Sequence, residues 1–267
     1  MSSSPSHFDR ATALDPLSAG RFGGVVSQEY WVQSGPNGGY LAAIALRGAS
    51  ALVPEPERAP RSLHVRFLSA PKAGPFELAA ELVRAGRSMT TIAVRLSQDG
   101  RDFVHASACF SAAFSPIAFQ DATMPDALPI ERAELLPARI ALNERYVLRR
   151  AIGGGERSGP RAISGGWIRF ADPRPFDALA MAALWDVWPP AVFARAFEQR
   201  FRGAVPTVEA TVYFRRRLPL PEIGAEDSVL LRVESTMADE GFCEESAELW
   251  SPSGALLAQA RQLALLL

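Results

Sequence analysis

The sequence has few of the residues from which disulfide and metal sites are built. Its 267 residues include two cysteines, Cys109 and Cys243, and three histidines, His7, His64 and His105. The cysteines are too few and too far apart for a disulfide framework or a zinc site, so we expect each to be a small core side chain. The histidines are scattered and form no H-E-x-x-H motif, so a metal hydrolase has no support.

Strong charge and long apolar runs are lacking too. The formal net charge is -1 and the pI is near 6.3, which gives no global attraction to nucleic acid or to an acidic membrane. No apolar run approaches the roughly 18 residues of a spanning helix. The first residues have no basic segment followed by an apolar core, as a signal peptide has. We therefore expect a cytoplasmic protein with a reducing environment, no membrane span and no nucleic-acid partner.

Three common catalytic loops are missing. No G-x-S-x-G elbow occurs, so a Ser-His-Asp hydrolase has no support. The glycine run "GGGERSG" (153–159) lacks the lysine of a phosphate-binding P-loop and does not match a dinucleotide fingerprint. We interpret this run as a hairpin loop.

Strand-like runs fill both halves of the chain in the same order. They alternate apolar and polar residues or are continuously apolar, and a "QDG" or "SPSG" turn separates the last two runs of each set. The runs are 62–70, 76–86, 88–100 and 103–114 in the first half, and 207–219, 228–236, 242–250 and 255–267 in the second. Phe67 matches Phe214 at an offset of 147, and Gly100 matches Gly254 at an offset of 154. Such internal similarity indicates two copies of one supersecondary unit.

Each copy also has one helix ahead of its strands. The helices are predicted over 36–53 and 176–188, the second with Asp177 as its cap, and both are apolar nearly all round, which is typical of enclosed helices. A long helix wrapped by an antiparallel sheet, present twice, is the α+β double hotdog architecture. We divide the chain into an N-terminal unit (1–113), a proline-rich linker (114–143) and a C-terminal unit (144–267).

Asp186 is the charged residue in the otherwise apolar stretch "LAMAALWDVWPP" (179–190). Burying an unpaired carboxylate costs several kcal/mol, so the group should be either paired or used. Burial and the negative end of its own helix would both raise its pKa toward the range of a general base. The alternative is that Asp186 caps a neighbouring backbone or pairs with an arginine.

Gln262 and Thr207 are further polar candidates in the second copy. Gln262 shares one strand face with Ala258, Ala260 and Ala264, so an amide there needs a partner, and a backbone carbonyl is the simple alternative. Thr207 opens its strand and is uninformative by itself. Its alternation with Glu209, Thr211 and Tyr213 argues mildly against an inward side chain.

These motifs together resemble one enzyme family. The segments "PNGGYLAA", "SLHVRFL", "RAGRSMTTIAVRLSQDGR", "ALWDVWPP", "PTVEATVYFRR" and "LLAQARQLAL" are similar in type and order to the type II acyl-CoA thioesterases, which have the double hotdog fold. The resemblance implies that Asp186, Thr207 and Gln262 hold a water for attack on a thioester. The chain departs from the family at Ala210, where some members have histidine, and in the tyrosine of "NGGY".

The implied substrate is an acyl-CoA thioester, with no further cofactor. Backbone amides of Gly38, Gly39 and Tyr40, at the start of the first helix, are candidates for an oxyanion hole, although close packing explains such glycines equally well. Arginines at strand ends are candidates for binding the coenzyme's phosphates, with a solvated strand end as the alternative; they are Arg84 and Arg87 with Ser88, and Arg215 in the run 215–217. An acyl channel bordered by Trp185, Trp188 and Phe214 is an alternative to a plain core.

Three other classes stay open from the sequence. A protein that binds acyl-CoA or an acyl carrier without catalysis would keep the pocket, a hotdog hydratase would need a histidine beside its aspartate, and a structural subunit would bind no acyl-CoA. Association into a homo-oligomer through sheet edges or helix-free faces is also left open.

Overall fold

Two buried helices form the centre of the structure. This computed structural model describes residues 4–33, 35–154, 159–196 and 203–267. The helices in these ranges are α1 (His7–Ala11), α2 (Gly38–Ser50) and α3 (Ala178–Leu184). Short 3-10 turns lie at Gln28–Tyr30, Ala141–Arg145 and Ala191–Ala194. Helices α2 and α3 pack against each other, and α2 also packs on the sheet of the first half.

A long antiparallel sheet encloses these helices. The strands of the first half are β1 (Asp15–Ser18), β2 (Arg21–Val26), β3 (Trp31–Val32), β4 (Gly35–Pro36), β5 (Ala59–Phe67), β6 (Gly74–Ala85), β7 (Thr90–Gln98) and β8 (Arg101–Ser111). Those of the second half are β9 (Glu134–Leu135), β10 (Tyr146–Ile152), β11 (Ala162–Phe170), β12 (Thr207–Phe214), β13 (Val229–Ser235), β14 (Ala238–Asp239), β15 (Phe242–Trp250) and β16 (Leu256–Leu265). Among the described residues the main sheet has the order β1-β2-β6-β7-β8-β5-β12-β16-β15-β13-β11-β10-β9, with β14 on β15 and β3-β4 as a separate pair.

Strands β5 and β12 join the two halves at the middle of the sheet. They pair antiparallel, with His64 opposite Thr211, and the His64 Nδ1 and Thr211 Oγ1 atoms lie 3.1 Å apart. Residues 64 and 211 differ by 147, the same offset that relates Phe67 to Phe214. The pseudo-twofold axis therefore passes through this pair, and the architecture is the predicted double hotdog.

Helix α3 is shorter than the sequence predicts. Asp177 caps it as expected, accepting the amide hydrogen of Ala180 at 2.8 Å, but the last helical residue is Leu184. Pro189 and Pro190 follow closely, and the conformation required before proline disfavours helix. Asp186 therefore lies in the turn beyond α3, and the prediction that it belongs to the helix itself is wrong.

The connecting segments are largely irregular. Within the predicted linker 114–143, β9 pairs with β10 and the 3-10 turn Ala141–Arg145 begins near the end. Strands β10 and β11 pair antiparallel around the glycine run, consistent with a hairpin, although residues 155–158 of that run lie outside the described residues. Across the described ranges, no helix combines the length and apolarity needed to cross a membrane.

Candidate active site

A cavity of about 850 Å³ opens where the two halves meet. It lies between the start of α2, the turn after α3, and the end of the sheet at which β12 begins and β16 ends. All three side chains of the predicted water-holding set line it, namely Asp186, Thr207 and Gln262. These three side chains, up to 76 positions apart along the chain, thus line the same cavity.

The Asp186 carboxylate lies over the N-terminus of α2. Its Oδ2 accepts hydrogen bonds from Asn37 Nδ2 at 2.8 Å and from the Gly39 amide at 3.0 Å. Asn37 Nδ2 also donates to the Asp186 main-chain carbonyl at 2.7 Å. Asn37 therefore fixes both the side chain and the backbone of Asp186, and the first half of the chain positions a carboxylate of the second half.

The pKa of Asp186 is raised from 3.8 to about 7. Burial is the main cause, because it disfavours the charged form, while hydrogen bonds from Gly39, Gly38 and Asn37 act in the opposite direction. The helix end that Asp186 faces is the positive one of α2, which favours the carboxylate. From the sequence, the negative end of α3 is expected to raise the pKa of Asp186. In the structure the positive end of α2 faces the carboxylate instead and lowers its pKa. A carboxylate with a pKa near neutrality can accept and release a proton.

Thr207 and Gln262 belong to a chain of hydrogen bonds with a fourth residue, Glu245. The Thr207 hydroxyl donates to Gln262 Oε1, and Gln262 Nε2 donates to Glu245 Oε1 at 2.9 Å. The other carboxylate oxygen of Glu245 accepts the backbone amide hydrogen of Ala191. The Gln262 amide is therefore satisfied by a side-chain carboxylate, not by a backbone carbonyl as the alternative interpretation of the sequence had it.

Thr207 lines the cavity because the register of β12 shifts beside it. Thr207 lies opposite Ala264 and Glu209 opposite Leu263, so one extra residue, Val208, separates them as a bulge. A bulge of this kind reverses the facing of side chains on one side of it. The alternation with Glu209 therefore does not apply to Thr207, which explains why the sequence pattern argued against an inward side chain.

Glu245 is a site residue that sequence reasoning missed. It is 6% exposed, lines the cavity and lies directly opposite Gln262 in the β15–β16 pair. Burial raises its pKa to about 7, against the hydrogen bonds of Ala191 and Gln262, and the negative charge of Asp186 raises it further. A signal was present, because Cys243, Glu245 and Ala247 alternate along β15 and a carboxylate on an otherwise small and apolar face needs an explanation.

The glycines at the start of α2 serve close packing. A Cβ atom at Gly39 would lie 2.2 Å from the Ala183 carbonyl oxygen, and one at Gly38 would lie 3.0 Å from Asp186 Oδ2. The Gly39 amide is used by Asp186 and the Tyr40 amide by the Asn37 cap. In this geometry those two amides hold the carboxylate and the helix end, which does not support the expected oxyanion role. The Tyr40 side chain is buried and stacks on Tyr30.

The four residues expected to bind the coenzyme's phosphates lie away from the cavity. Arg215 follows the last residue of β12, whereas Thr207 is the first, so the eight-residue strand separates them by about 25 Å. Residues that lie opposite each other on successive strands lead from Arg84 and Thr91 to Tyr213, two residues before Arg215. Arg84, with Arg87 and Ser88 just after it, therefore lies at the same far end of the sheet. The geometry therefore gives no support to these four as part of the site.

Other cavity residues supply charge and apolar surface. Arg195 is exposed and lines the cavity, as do Phe67 and Trp188, with Trp188 Nε1 donating to Ser164 at 2.9 Å. Trp185 and Phe214 are core residues, 2% and 4% exposed, and do not line it. Of the three expected channel residues, Trp188 alone is therefore part of the wall.

None of the described residues that line this cavity is a histidine. His7 pairs with Glu29 and His105 with Asp102, while His64 contacts Thr211 on the pseudo-twofold axis. Within the described ranges, no group of three or more His, Cys, Asp or Glu side chains is placed to hold a metal ion. The described residues of the cavity therefore place no histidine beside Asp186, as a hotdog hydratase would require.

The fold and the site together define a double hotdog protein whose cavity contains two carboxylates and a threonine–glutamine pair. The sequence profile of the acyl-CoA thioesterase N-terminal domain matches residues 27–111, and that of the C-terminal domain matches residues 120–266. The chain belongs to the acyl-CoA thioesterase family.

Solved structures agree with the double hotdog fold. A hot dog fold protein of unknown function from Alicyclobacillus acidocaldarius is 31% identical, with 99% of each chain covered and a TM-score of 0.87. An acyl-CoA thioesterase II from Mycobacterium marinum (24% identity, TM-score 0.78) and a putative thioesterase II from Thermobifida fusca YX (23%, 0.79) each match over 97% of both chains. A search of curated proteins finds no significant match.

Proposed function

We propose that this protein hydrolyses acyl-CoA thioesters to the free acid and coenzyme A. The observation that carries the proposal is the Asp186 carboxylate, which has a pKa of about 7 and lies in one cavity with Thr207 and Gln262. A general base works best when its pKa is close to the working pH. Family membership supplies the substrate class, and the three side chains supply the chemistry.

Thr207 and Asp186 together determine how a water would be held. Because the Thr207 hydroxyl donates to Gln262, its lone pairs are left to accept a hydrogen bond. Asp186 accepts the hydrogen bonds of Asn37 and Gly39 on Oδ2, which leaves Oδ1 to accept one from a water. A water that donates one hydrogen to Asp186 and the other to Thr207 directs a lone pair of its oxygen outward, toward a bound thioester.

The reaction then proceeds by direct attack. The water oxygen bonds to the thioester carbonyl carbon while Asp186 accepts one of its protons. The tetrahedral intermediate collapses, the carbon–sulfur bond breaks, and the coenzyme A sulfur leaves with the bonding electron pair and takes the proton from Asp186. The products are the carboxylic acid and the thiol, and no acyl-enzyme is formed.

The cavity is of suitable size and charge for such a substrate. Its volume of about 850 Å³ lies in the range of roughly 300–1,000 Å³ typical of small-molecule sites. Phe67 and Trp188 provide apolar wall for an acyl group, and Arg195 provides a cation for the phosphates. We include Arg195 in the proposal in place of the four residues at the far end of the sheet.

Release of free thiol from a panel of acyl-CoAs tests the proposal. We expect the wild-type protein to hydrolyse at least one short, long or aromatic acyl-CoA. Saturable binding of acyl-CoA without thiol release would instead indicate a non-catalytic binding protein. Absence of both binding and release would contradict any role in acyl-CoA chemistry.

A further inference from the structure

We propose that Glu245 is a positioning residue that sets the direction of the hydrogen-bond chain through Gln262 to Thr207, so that Thr207 presents lone pairs rather than its proton to the attacking water. The inference rests on the thioesterase activity proposed above. It adds a residue of a neighbouring strand, β15, to the set formed by Asp186, Thr207 and Gln262.

The direction of the chain is set first at Ala191, whose backbone amide can only donate. It donates to Glu245 Oε2, so this oxygen must be an acceptor. The second oxygen, Oε1, lies 2.9 Å from the Gln262 side-chain nitrogen. An ionised carboxylate has only acceptors, which requires that Gln262 turn its NH₂ group toward Glu245.

The orientation of Gln262 then determines that of Thr207. With its nitrogen toward Glu245, Gln262 turns Oε1 toward Thr207, and the Thr207 hydroxyl donates to it. A hydroxyl has one proton and two lone pairs. Since the proton is committed to Gln262, Thr207 can only accept a hydrogen bond from a water in the cavity.

The burial of Glu245 and Gln262 stabilises this orientation of the Gln262 amide. The residue is 6% exposed, as is Gln262, so solvent offers few alternative partners, and an unsatisfied buried donor or acceptor is costly. Among charged groups, Asp186 and Glu244 act on Glu245 electrostatically. Its hydrogen-bond partners, in contrast, are the uncharged Ala191 amide and the Gln262 side chain.

The variant Glu245→Gln would reverse the chain without changing its shape. The Ala191 amide would still require an acceptor, so the introduced glutamine would place its oxygen there and its NH₂ group toward Gln262. Gln262 would have to rotate its amide and donate to Thr207, whose proton would then point elsewhere. The substitution is therefore nearly isosteric. It removes one negative charge and reverses the order of donors and acceptors, and the exchanged pair described next separates these two effects.

The exchanged pair, Glu245→Gln with Gln262→Glu, should restore the original direction at Thr207. In this double variant the amide now on β15 donates to the carboxylate now on β16, and that carboxylate accepts the Thr207 hydroxyl. Packing volume and net charge are the same as in the wild type. A role limited to burial or to charge at position 245 does not predict this recovery.

The experiment compares kcat and KM for thiol release well above pH 7, where both site carboxylates are ionised. We expect Glu245→Gln to lower kcat by about 10- to 100-fold, the effect of one misdirected charge-assisted hydrogen bond, with KM within about threefold of wild type. The exchanged pair should recover at least about tenfold of that loss. In a Thr207→Val background, Glu245→Gln should cost less than about threefold, because the residue it acts through is gone.

Glu244→Gln is the matched control. Glu244 is the neighbouring carboxylate on β15 and binds Thr236 and Arg261, away from the cavity, so we expect wild-type kcat. Circular dichroism and thermal unfolding establish that each variant is folded. Folded Glu245→Gln with wild-type kcat, or an exchanged pair no better than the single variant, would overturn the inference.

A second readout does not depend on activity. Neutron diffraction from deuterated crystals locates the exchangeable deuterons directly. We expect the Thr207 deuteron to point at Gln262 in the wild type and away from it in Glu245→Gln. The same position in both would refute the role of Glu245, even if no acyl-CoA were hydrolysed, whereas a failure of the proposed function would appear as a wild type without thiol release.

Discussion

Gly39→Ala is expected to damage both stability and catalysis, because α2 approaches the end of α3 very closely at position 39. The new Cβ would lie 2.2 Å from the Ala183 carbonyl oxygen and 3.1 Å from Asp186 Cβ. Ordinary contacts of this kind begin near 3.4 Å, so the two backbones must separate by about 1 Å. The Gly39–Asp186 hydrogen bond of 3.0 Å would lengthen by a similar amount.

The magnitude follows from two opposing effects. Replacing helical glycine by alanine gains up to about 1 kcal/mol in helix propensity, while overpacking a close backbone contact costs about 1–3 kcal/mol or more. We expect a net loss of about 1–2 kcal/mol in the free energy of unfolding, measured by urea denaturation. Displacement of a catalytic group by about 1 Å can cost about 100-fold in rate, so kcat should fall by about that factor.

Gly48→Ala provides the control in the same helix. The three atoms nearest to its new Cβ would all belong to the Leu78 side chain, with Cδ2 at 2.5 Å, and none of them belongs to Asp186 or to backbone. We expect kcat close to that of the wild type. If Gly39→Ala retained wild-type stability and kcat, the close approach of α2 and α3 could not be what positions Asp186.

Three further outcomes are expected. Since Asp186 must be ionised to act as base, kcat/KM should rise with pH, reach half its maximum near pH 7 and level off above it; a pH-rate profile flat between about pH 5 and 9 would contradict this. Because the pKa of Asp186 is raised on folding, its ionisation destabilises the folded state progressively from about pH 4 to 7. Asp186→Asn should therefore be more stable than wild type at pH 8, by on the order of 1 kcal/mol in urea denaturation. A less stable variant would count against the raised pKa. Arg195→Ala should raise KM about 5- to 20-fold for acyl-CoA and leave KM unchanged for an acyl thioester that lacks the coenzyme's phosphates; equal effects on both substrates would exclude phosphate binding.

Features that depend on local pattern could be predicted from the sequence. The repeat of strand-like runs at offsets of 147 and 154 indicated two similar units, and the pairing of His64 with Thr211 is the structural form of that repeat. Asp186 was recognisable because a charge in an apolar stretch needs a reason. Gln262 was recognisable because an amide interrupts a face of small residues.

Features that depend on distant parts of the chain could not be predicted in this way. The helix end that stabilises Asp186 belongs to the other half of the chain, and a bulge of one residue next to Thr207 changes its facing. Arginine was assigned to phosphate binding by residue type, yet the direction of β12 places Arg215 at the end opposite the cavity. Glu245 emerges only from the β15–β16 register, which sets it opposite Gln262.

The central claim is that the Asp186 carboxylate activates water for thioester hydrolysis. The most direct test is the rate of thiol release by wild type and by Asp186→Asn, which keeps an acceptor for the Gly39 amide. Loss of a general base should lower kcat by a factor of about 100 or more, with the variant folded and acyl-CoA binding retained. A folded Asp186→Asn protein that releases thiol at the wild-type rate would contradict the account.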